Sequence, residues 1–468
     1  MGRLFGTDGV RGIANKELPA DLAFKIGRAV AYVLACDGKT RPKILVGKDT
    51  RISCGMLEAA LVAGICSVGA EAILVGVVPT PAIAHLVRTE NADAGVVISA
   101  SHNSFEHNGI KFFNGEGFKL SDEIEERIER IILDDSEVVE SPLGADVGKI
   151  SNAPELAEKY ISYTVSAVKG VKAAGSVDSN DGHRGDQREL FKNMKIAVDC
   201  ANGAASATAK SAFEALGAEV HVICDKPNGV NINENCGSTH MDGLAAFVRE
   251  IGADVGIAFD GDADRTLLID ERGELVDGDK IMLMLANDML ARGVLKNNTL
   301  VATVMSNLGL FVAAEELGIN VLKAQVGDRY VLEEMRKGGY NIGGEQSGHV
   351  IMLERNTTGD GLATALAVVE LMKRSGRKLS DLAGIMQVYP QVMVNAIVSN
   401  ENKAKLATDD EINRAIGAAE ERFKGDGRVL VRASGTEALI RVMIEGKDIE
   451  KITQSANEIA ALIERKLG

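Results

Sequence analysis

Residues 43–78 read KILVGKDTRISCGMLEAALVAGICSVGAEAILVGVV, and this stretch decides the fold class. A short apolar run at 43–47 precedes a helical pattern at 57–68, a Gly-Ala pair and a second apolar run at 73–78. A strand, a helix ended by glycine and a second strand in that order make a β-α-β unit. Because such units build sheets that helices cover, the stretch predicts an α/β domain.

The same series occurs twice more along the chain. A second copy begins at 195–198 and ends at 220–224, and a third begins at 299–304 and ends at 321–324. The last hundred residues differ, because strand-like and helical segments alternate there without this series, as in an α+β layer. We therefore predict three similar α/β domains with mixed sheets and a C-terminal α+β domain, with bounds 1–150, 151–256, 257–372 and 373–468.

The composition excludes several classes of protein. The chain has 468 residues, of which 46% are hydrophobic and 25% charged, so it is not a disordered chain. A net charge of −15, 4% aromatic residues and no Trp argue against nucleic-acid binding. Six scattered Cys without a C-x-x-C pair predict a reducing cytoplasm, and no apolar run is long enough to predict a membrane span.

Two loops that follow apolar strands carry groups suited to chemistry. Ser101 and His102, in ISASHN, offer a hydroxyl beside a proton acceptor. Asp260, Asp262 and Asp264, in DGDADR, place three carboxylates at alternate positions. Alternate residues of an extended chain point the same way, and three convergent carboxylates repel one another unless a hard cation such as Mg²⁺ lies between them.

Two further loops offer binding groups. The glycine-rich GGEQSGH contains Glu345, Ser347 and His349, which can hydrogen-bond sugar hydroxyls. A second loop joins two predicted strands and has the parts of a phosphate clamp: Arg432, Ser434, Gly435 and Thr436, followed by Arg441. Arg11 and Lys111 add cations in two other glycine-containing loops.

Together these loops indicate phosphoryl transfer, which depends on positioning and on neutralising charge. ATP-binding signatures are missing, so the expected donor is a sugar phosphate or the protein itself. The motifs FGTDGVRG, SASHN, NGIKFF, DCANGA, PNGVNIN, DGDADR, VGDRYV, GGEQSGH, TTGDG and SGTE follow one another along nearly the whole chain. In this order the sequence resembles the α-D-phosphohexomutase superfamily, and within it the glucosamine-phosphate branch.

The resemblance implies four domains around a central cleft, and an isomerase that converts glucosamine 6-phosphate to glucosamine 1-phosphate for UDP-N-acetylglucosamine synthesis. Ser101 would be the phosphorylated serine and would share one Mg²⁺ per site with the Asp260, Asp262 and Asp264 carboxylates. A hexose 1,6-bisphosphate would be the intermediate and activator. The remaining residues would divide into a transfer group (Arg11, His102, Lys111 and Arg265, with His102 or Lys111 as proton shuttle) and a substrate group (Glu345, Ser347, His349, Arg432, Ser434, Gly435, Thr436 and Arg441). A homodimer is usual for such relatives.

Other activities stay open at this point. Gln346 in GGEQSGH favours glucosamine, but a phosphomannomutase or phosphoglucomutase of the same superfamily is the alternative. Asp262 to Thr266 also fits the D-x-D-x-T pattern of haloacid-dehalogenase-type phosphatases, in which Asp262 would carry the phosphoryl group. A non-catalytic sugar-phosphate sensor is the remote possibility.

Some features depart from the superfamily pattern. Ser104 and Ala438 replace prolines, and Ala263 replaces a glycine, which leaves the three carboxylates together if its φ is negative. Residues 169–188 form an atypical polar insertion. Since an acidic chain must bind dianionic phosphates, we also expect a locally positive site around Arg11, Lys111, Arg265, Arg432 and Arg441.

Overall fold

A computed structural model of the protein describes residues 3–6, 8–36, 41–168, 189–434 and 438–468. The chain divides into two compact units. The first unit comprises Met1–Met305 and Ile319–Ile385, and the second comprises Ser306–Gly318 and Met386–Gly468. The predicted insertion at 169–188 lies outside the described residues.

The first sheet of the first unit is mixed, with strand order β1-β5-β4-β2-β3-β6. Its elements are β1 (Val10–Ile13), α1 (Ala20–Cys36), β2 (Lys43–Lys48), α2 (Cys54–Cys66), β3 (Glu71–Val77), α3 (Thr80–Thr89), β4 (Ala94–Ile98), β5 (His107–Asn114), α4 (Asp122–Asp134) and β6 (Ile150–Asn152). β2 pairs in parallel with β3 and β4, and β5 runs antiparallel to β1 and β4. β4 is buried along its whole length, as expected of an apolar strand covered on both faces.

The second sheet has strand order β11-β10-β9-β7-β8. The corresponding elements are α5 (Leu156–Ser166), β7 (Lys195–Asp199), α6 (Ala209–Glu214), β8 (Glu219–Ile223), α7 (Asp242–Ile251), β9 (Val255–Phe259), β10 (Thr266–Asp270) and β11 (Leu275–Val276). The boundary predicted between residues 256 and 257 falls inside β9. Because β10 and β11 continue the sheet by antiparallel pairing, the Asp-rich loop belongs to the second sheet and not to the start of the third domain.

The third sheet has strand order β13-β12-β14-β15. In chain order the elements are α8 (Gly278–Ala291), β12 (Thr299–Thr303), α9 (Leu308–Glu316), β13 (Asn320–Ala324), α10 (Asp328–Gly338), β14 (Ile342–Gly344), β15 (Val350–Met352), α11 (Gly361–Ser375) and α12 (Leu379–Ala383). The predicted domain start at 373 falls in the last turn of α11, which Gly376 caps in a left-handed conformation.

The second unit contains α9 and the C-terminal elements β16 (Gln391–Ile397), α13 (Asp410–Phe423), β17 (Gly427–Ala433), β18 (Leu439–Gly446) and α14 (Ile449–Leu467). The three strands form an antiparallel sheet of order β16-β18-β17. Buried residues of α13, α14 and β18 share one hydrophobic core, as in an α+β layer.

The three predicted β-α-β copies are confirmed. The strand pairs β2 with β3, β7 with β8 and β12 with β13 are each parallel, and a helix lies between them in the chain. The mixed sheets and the α+β C-terminal layer are confirmed as well. None of the helices in the described part of the chain combines the length and hydrophobicity needed to cross a bilayer.

Candidate active site

Ser101 lies just past the end of β4, against the Asp-rich loop that follows β9. Its Oγ donates a hydrogen bond of 2.5 Å to Asp260 Oδ2 and lies 3.4 Å from Nδ1 of His102. The side chain is buried and the backbone φ is +52°, a left-handed conformation that is uncommon for serine. The strained turn aims the hydroxyl at the carboxylates, although 159 residues separate it from Asp260.

Side chains from two other segments hold the Ser101 backbone. The Ser101 carbonyl accepts hydrogen bonds from Arg51 Nη2 at 2.8 Å and from Asn233 Nδ2 at 2.9 Å. Asn233 Nδ2 also donates to the Asn103 carbonyl at 2.9 Å. A Cβ on Gly261 would come within 2.5 Å of the Ser101 carbonyl oxygen, so the close approach of the two loops requires glycine there.

The three carboxylates of the Asp-rich loop converge as predicted. One oxygen from each of Asp260, Asp262 and Asp264 lies within 4.8 Å of the others, and all three residues are buried. Burial, followed by the charges of Asp264 and Asp262, holds the pKa of Asp260 well above its ordinary value. Asp262 Oδ1 and Asp264 Oδ1 have no hydrogen-bond partner among the described residues. Orphaned buried carboxylate oxygens fit a hard divalent cation, so the triad can bind a metal.

Ala263, in the middle of this loop, differs from the expectation. Its φ is +56°, not negative, and the residue is buried. The carboxylates converge nevertheless, because the left-handed turn at 263 brings the two flanking carboxylates, of Asp262 and Asp264, toward Lys111. Non-glycine residues adopt this conformation at a cost of about 1–2 kcal/mol.

Lys111 is the central cation of the site. Its Nζ lies 2.8 Å from Asp262 Oδ2, 2.9 Å from Asp8 Oδ2 and 3.5 Å from Asp264 Oδ2. Burial lowers the pKa of Lys111, but the carboxylates of Asp262, Asp8 and Asp264 outweigh burial and raise the pKa above its ordinary value. The side chain is therefore an ammonium ion that three carboxylates share.

Further ion pairs extend from Lys111 and return to the Asp-rich loop. Lys119 Nζ lies 2.7 Å from Asp8 Oδ1 and 2.6 Å from Asp328 Oδ2. His349 completes the circuit, since its Nε2 lies 3.6 Å from Asp328 Oδ2 and its Nδ1 lies 3.6 Å from Asp264 Oδ2. The result is a closed ring in which three carboxylates alternate with two ammonium groups and the His349 imidazole. We call it the ionic ring (Asp264, Lys111, Asp8, Lys119, Asp328 and His349).

The charges of Arg265 and Arg11 lie near His102, the residue that follows Ser101. Arg265 Nη1 lies 3.2 Å from His102 Nδ1, and Arg265 N donates to Asp260 Oδ1 at 3.2 Å. Arg11 forms an ion pair with Asp8. Burial, together with the charges of Arg265 and Arg11, lowers the pKa of His102 to about 4.

The local charge of this region is not positive, in contrast to the expectation. The groups around Ser101 include four cations (Arg11, Lys111, Lys119 and Arg265) and five carboxylates (Asp8, Asp260, Asp262, Asp264 and Asp328). The paired cations hold the carboxylates in place rather than creating a positive surface. A dianionic ligand at Ser101 therefore needs a further positive charge, which a divalent metal on the triad would supply.

The GGEQSGH loop begins at the end of β14. Glu345 Oε1 accepts a hydrogen bond of 3.0 Å from Gly327 N, and Ser347 Oγ lies 3.4 Å from Glu345 Oε2. His349 Nε2 accepts from Gly359 N at 3.1 Å. Glu345 and Ser347 thus form a pair of polar groups near the ionic ring, because His349 of the same loop is a member of that ring.

The remaining predicted residues lie in the second unit. Arg432 on β17 is directly opposite Arg441 on β18. Burial and the charge of Arg441 lower the pKa of Arg432. Ser434 is buried, and its carbonyl accepts a hydrogen bond of 2.7 Å from Lys403 Nζ. Gly435 and Thr436 lie outside the described residues.

Several residues of the site are absent from the sequence-based assignment. Asp8, Asp328 and Asn233 belong to the motifs FGTDGVRG, VGDRYV and PNGVNIN, so the motifs themselves were a usable signal for them. Lys119 and Arg51 have no such signal, because their sequence surroundings carry no pattern and only the fold brings them to the site.

Comparison with known proteins identifies the family. Four stretches match the phosphoglucomutase/phosphomannomutase descriptions: alpha/beta/alpha domain I at 2–138, domain II at 181–273, domain III at 277–389 and the C-terminal domain at 393–462. A phosphoglucosamine mutase of Caldicellulosiruptor saccharolyticus is 58% identical over 470 residues, which covers 100% of both chains.

Solved structures share the fold. A phosphoglucomutase/phosphomannomutase family protein from Burkholderia thailandensis superposes with a TM-score of 0.79 at 24% identity and covers 98% of this chain and 97% of its own. An N-acetylphosphoglucosamine mutase of Aspergillus fumigatus, solved with GlcNAc-6P and magnesium, has a TM-score of 0.63 at 17% identity and covers 99% and 96%. The family domains and the full-length relative agree with the geometry around Ser101, and the chain belongs to the phosphoglucomutase/phosphomannomutase family.

Proposed function

We propose that the chain is an isomerase that interconverts glucosamine 6-phosphate and glucosamine 1-phosphate through a phosphoserine at 101 and a hexose 1,6-bisphosphate. The observation that carries the proposal is the 2.5 Å hydrogen bond from Ser101 Oγ to Asp260, which places a hydroxyl beside the metal-binding triad. The full-length 58% identity to a phosphoglucosamine mutase supports the choice of sugar.

Asp260, Asp262 and Asp264 would hold one Mg²⁺ together with the phosphate on Ser101. The orphaned oxygens of Asp262 and Asp264 support this assignment, as does the magnesium in the Aspergillus relative. When bound, Mg²⁺ would neutralise charge on the phosphoryl group.

Transfer exchanges one phosphorus–oxygen bond for another. The bond from Ser101 Oγ to phosphorus breaks while a sugar hydroxyl oxygen bonds to phosphorus, and the hydroxyl proton passes to a base. His102 is that base, because its Nδ1 faces Ser101 Oγ and Arg265. A guanidinium only donates hydrogen bonds, so in the 3.2 Å contact Nδ1 is the unprotonated nitrogen of a neutral imidazole, and its lone pair accepts from Arg265 until it takes the hydroxyl proton. Lys111, an ammonium shared by three carboxylates, keeps its proton and orients the charges instead.

The substrate would be held at two places. Glu345 and Ser347, with His349 behind them, would hydrogen-bond the sugar hydroxyls, and Arg432, Ser434, Gly435, Thr436 and Arg441 would bind the phosphate that does not transfer. Arg432 and Arg441 lie directly opposite each other on paired strands, which supports this because two neighbouring guanidinium groups can donate to one phosphate. The bisphosphate turns over, and its other phosphoryl group returns to Ser101. The homodimer and the cytoplasmic location stay predictions.

The test compares kcat/KM for the 6-phosphates of glucosamine, mannose and glucose, and maps the phosphorylated residue. We expect the highest kcat/KM with glucosamine 6-phosphate, label on Ser101, and a loss of more than about 1,000-fold in kcat for Ser101→Ala. Label on Asp262 would instead indicate the dehalogenase-type mechanism, and a preference for mannose or glucose phosphate would reject the assigned sugar.

A further inference from the structure

A second cluster of reactive side chains lies in the second sheet, apart from the Asp triad. Asp199 ends β7, Cys224 follows β8, and Cys236 ends the loop that begins at Cys224. A carboxylate oxygen of Asp199 and the two Sγ atoms all lie within 4.8 Å of one another. Asp199 and Cys236 are buried, whereas Cys224 is partly exposed.

Cys224 differs from the other described cysteines in its protonation. A hydrogen bond with Cys236 lowers the pKa of Cys224 and raises the pKa of Cys236. Burial raises the pKa values of Cys54, Cys66 and Cys200 instead. A partly exposed thiol with a second thiol in contact is the arrangement in which oxidation is selective and reversible.

We propose that Cys224 and Cys236 form a reversible modification site at which a peroxide produces an intramolecular disulfide. The Cys224 thiolate attacks one peroxide oxygen, the O–O bond breaks, and sulfenic acid and hydroxide form. The Cys236 sulfur then attacks the Cys224 sulfur, and the sulfenic oxygen leaves as water together with the Cys236 proton. A dithiol reductant reverses the reaction by thiol–disulfide exchange.

The site connects to Ser101 through the loop that the two cysteines bound. Asn233 lies three residues before Cys236 and donates to the carbonyls of both Ser101 and Asn103. The Cys224 carbonyl accepts a 2.6 Å hydrogen bond from Asn202 N, so the other end of the loop is fixed as well. Drawing the sulfur atoms to the bonded distance of about 2 Å moves this loop, and with it the Asn233 contacts that hold the serine turn.

The decisive experiment treats the purified full-length protein with hydrogen peroxide and maps disulfides by peptide mass spectrometry. We expect a Cys224–Cys236 cross-link and a fall from six to four free thiols. We also expect kcat to fall between about 10-fold and 100-fold and to recover with dithiothreitol. The cross-link does not depend on the mutase activity, so its failure is distinguishable from failure of the proposed function.

Cysteine variants test the two steps of disulfide formation. Cys236→Ser leaves the sulfenic acid on Cys224 unresolved, where dimedone should label it, and Cys66→Ser should behave as the unmodified chain does. A Cys224→Ser variant with the same loss of kcat would overturn the link to the serine turn. Wild-type protein that forms no cross-link would overturn the site itself. This holds if the thiols stay free, and also if bound zinc protects them, which would be detected as zinc released on denaturation.

Discussion

In the first unit, the buried Lys111 ammonium contacts the carboxylates of Asp8, Asp262 and Asp264, whereas in the second unit Arg432 lies directly across a strand pair from Arg441. The cation at Ser101 is surrounded by opposite charge, and its pKa is raised. The Arg432 guanidinium faces a like charge, and its pKa is lowered, by burial and by Arg441.

Under the proposed function, this difference separates two ways of handling phosphate. Around Ser101, a phosphoryl group would arrive and leave, so the protein would have to stay stable in both states. The ionic ring achieves this by pairing the protein's own charges. At the C-terminal strand pair, the two opposed guanidinium groups would instead hold the phosphate that stays in place by charge-assisted hydrogen bonds. Removing a cation should therefore destabilise the first region and weaken binding at the second.

The largest effect is expected for Lys111→Met. The buried carboxylates of Asp262 and Asp264, and the partly buried carboxylate of Asp8, would lose their common cation, and breaking a buried pair from one side costs about 3–5 kcal/mol. We expect the free energy of unfolding, measured in urea without metal, to fall by this amount, and kcat to fall more than about 1,000-fold. Lys337→Met, at a side chain that is 61% exposed, is the matched control and should change the free energy of unfolding by less than about 0.5 kcal/mol. If Lys111→Met is as stable as this control, the carboxylates do not depend on Lys111.

Chelation tests whether the carboxylates of the Asp-rich loop also need a divalent metal for activity. Removing divalent cations leaves the oxygens of Asp262 and Asp264 unpartnered, so we expect activity to fall more than about 100-fold and to return with Mg²⁺. The binding of added Mg²⁺, measured by calorimetry, should weaken strongly in Asp262→Asn. Full turnover in the presence of a chelator would contradict the metal assignment.

Arg432→Met should act on binding and leave the fold intact. The substitution removes a charge-assisted hydrogen bond to phosphate, which is worth about 1.5–3 kcal/mol, so KM should rise about 10-fold to 100-fold. It also removes the repulsion with Arg441, so the free energy of unfolding should not fall. A large loss of stability without a change in KM would mean that Arg432 has a structural role, and the contrast with Lys111 would disappear.

Glu445→Gln tests whether buried ion pairs stabilise the second unit as well as the first. Glu445 is buried, pairs with Arg428 and accepts hydrogen bonds of 3.1 Å from Asn307 Nδ2 and Leu308 N. Losing its charge should lower the free energy of unfolding by about 1–3 kcal/mol, without affecting KM. Glu421→Gln, at an exposed ion pair with Lys424, is the control and should have almost no effect. A neutral result for Glu445 would mean that buried pairs stabilise only the first unit.

The parts of this fold that sequence predicts are those that local patterns specify. Alternating apolar runs and helix-ending glycines identify the three β-α-β copies, and carboxylates that directly follow apolar strands predict the Asp triad. The ionic ring could not be predicted in this way, since Lys119 and Asp328 are 209 residues apart. The boundary at 256 was misplaced for a similar reason: antiparallel pairing of β9 with β10 extends the second sheet past the point where the parallel pattern ends.

Local sequence patterns also failed to predict the left-handed backbone conformation of Ala263. The substitution Ala263→Gly tests how much this conformation contributes to the free energy of unfolding. Glycine adopts the φ of +56° without the cost of about 1–2 kcal/mol that an L-residue incurs, but its unfolded state gains about 0.4–1 kcal/mol of entropy. We therefore expect a small gain in the free energy of unfolding, below about 1 kcal/mol, and an unchanged kcat, because all three carboxylates remain. Ala212→Gly in helix α6 is the control, since α-helical Ala has no such strain and its loss costs about 1 kcal/mol. If both variants lose the same stability, the left-handed turn carries no cost, and the charges alone determine the energetics of the loop.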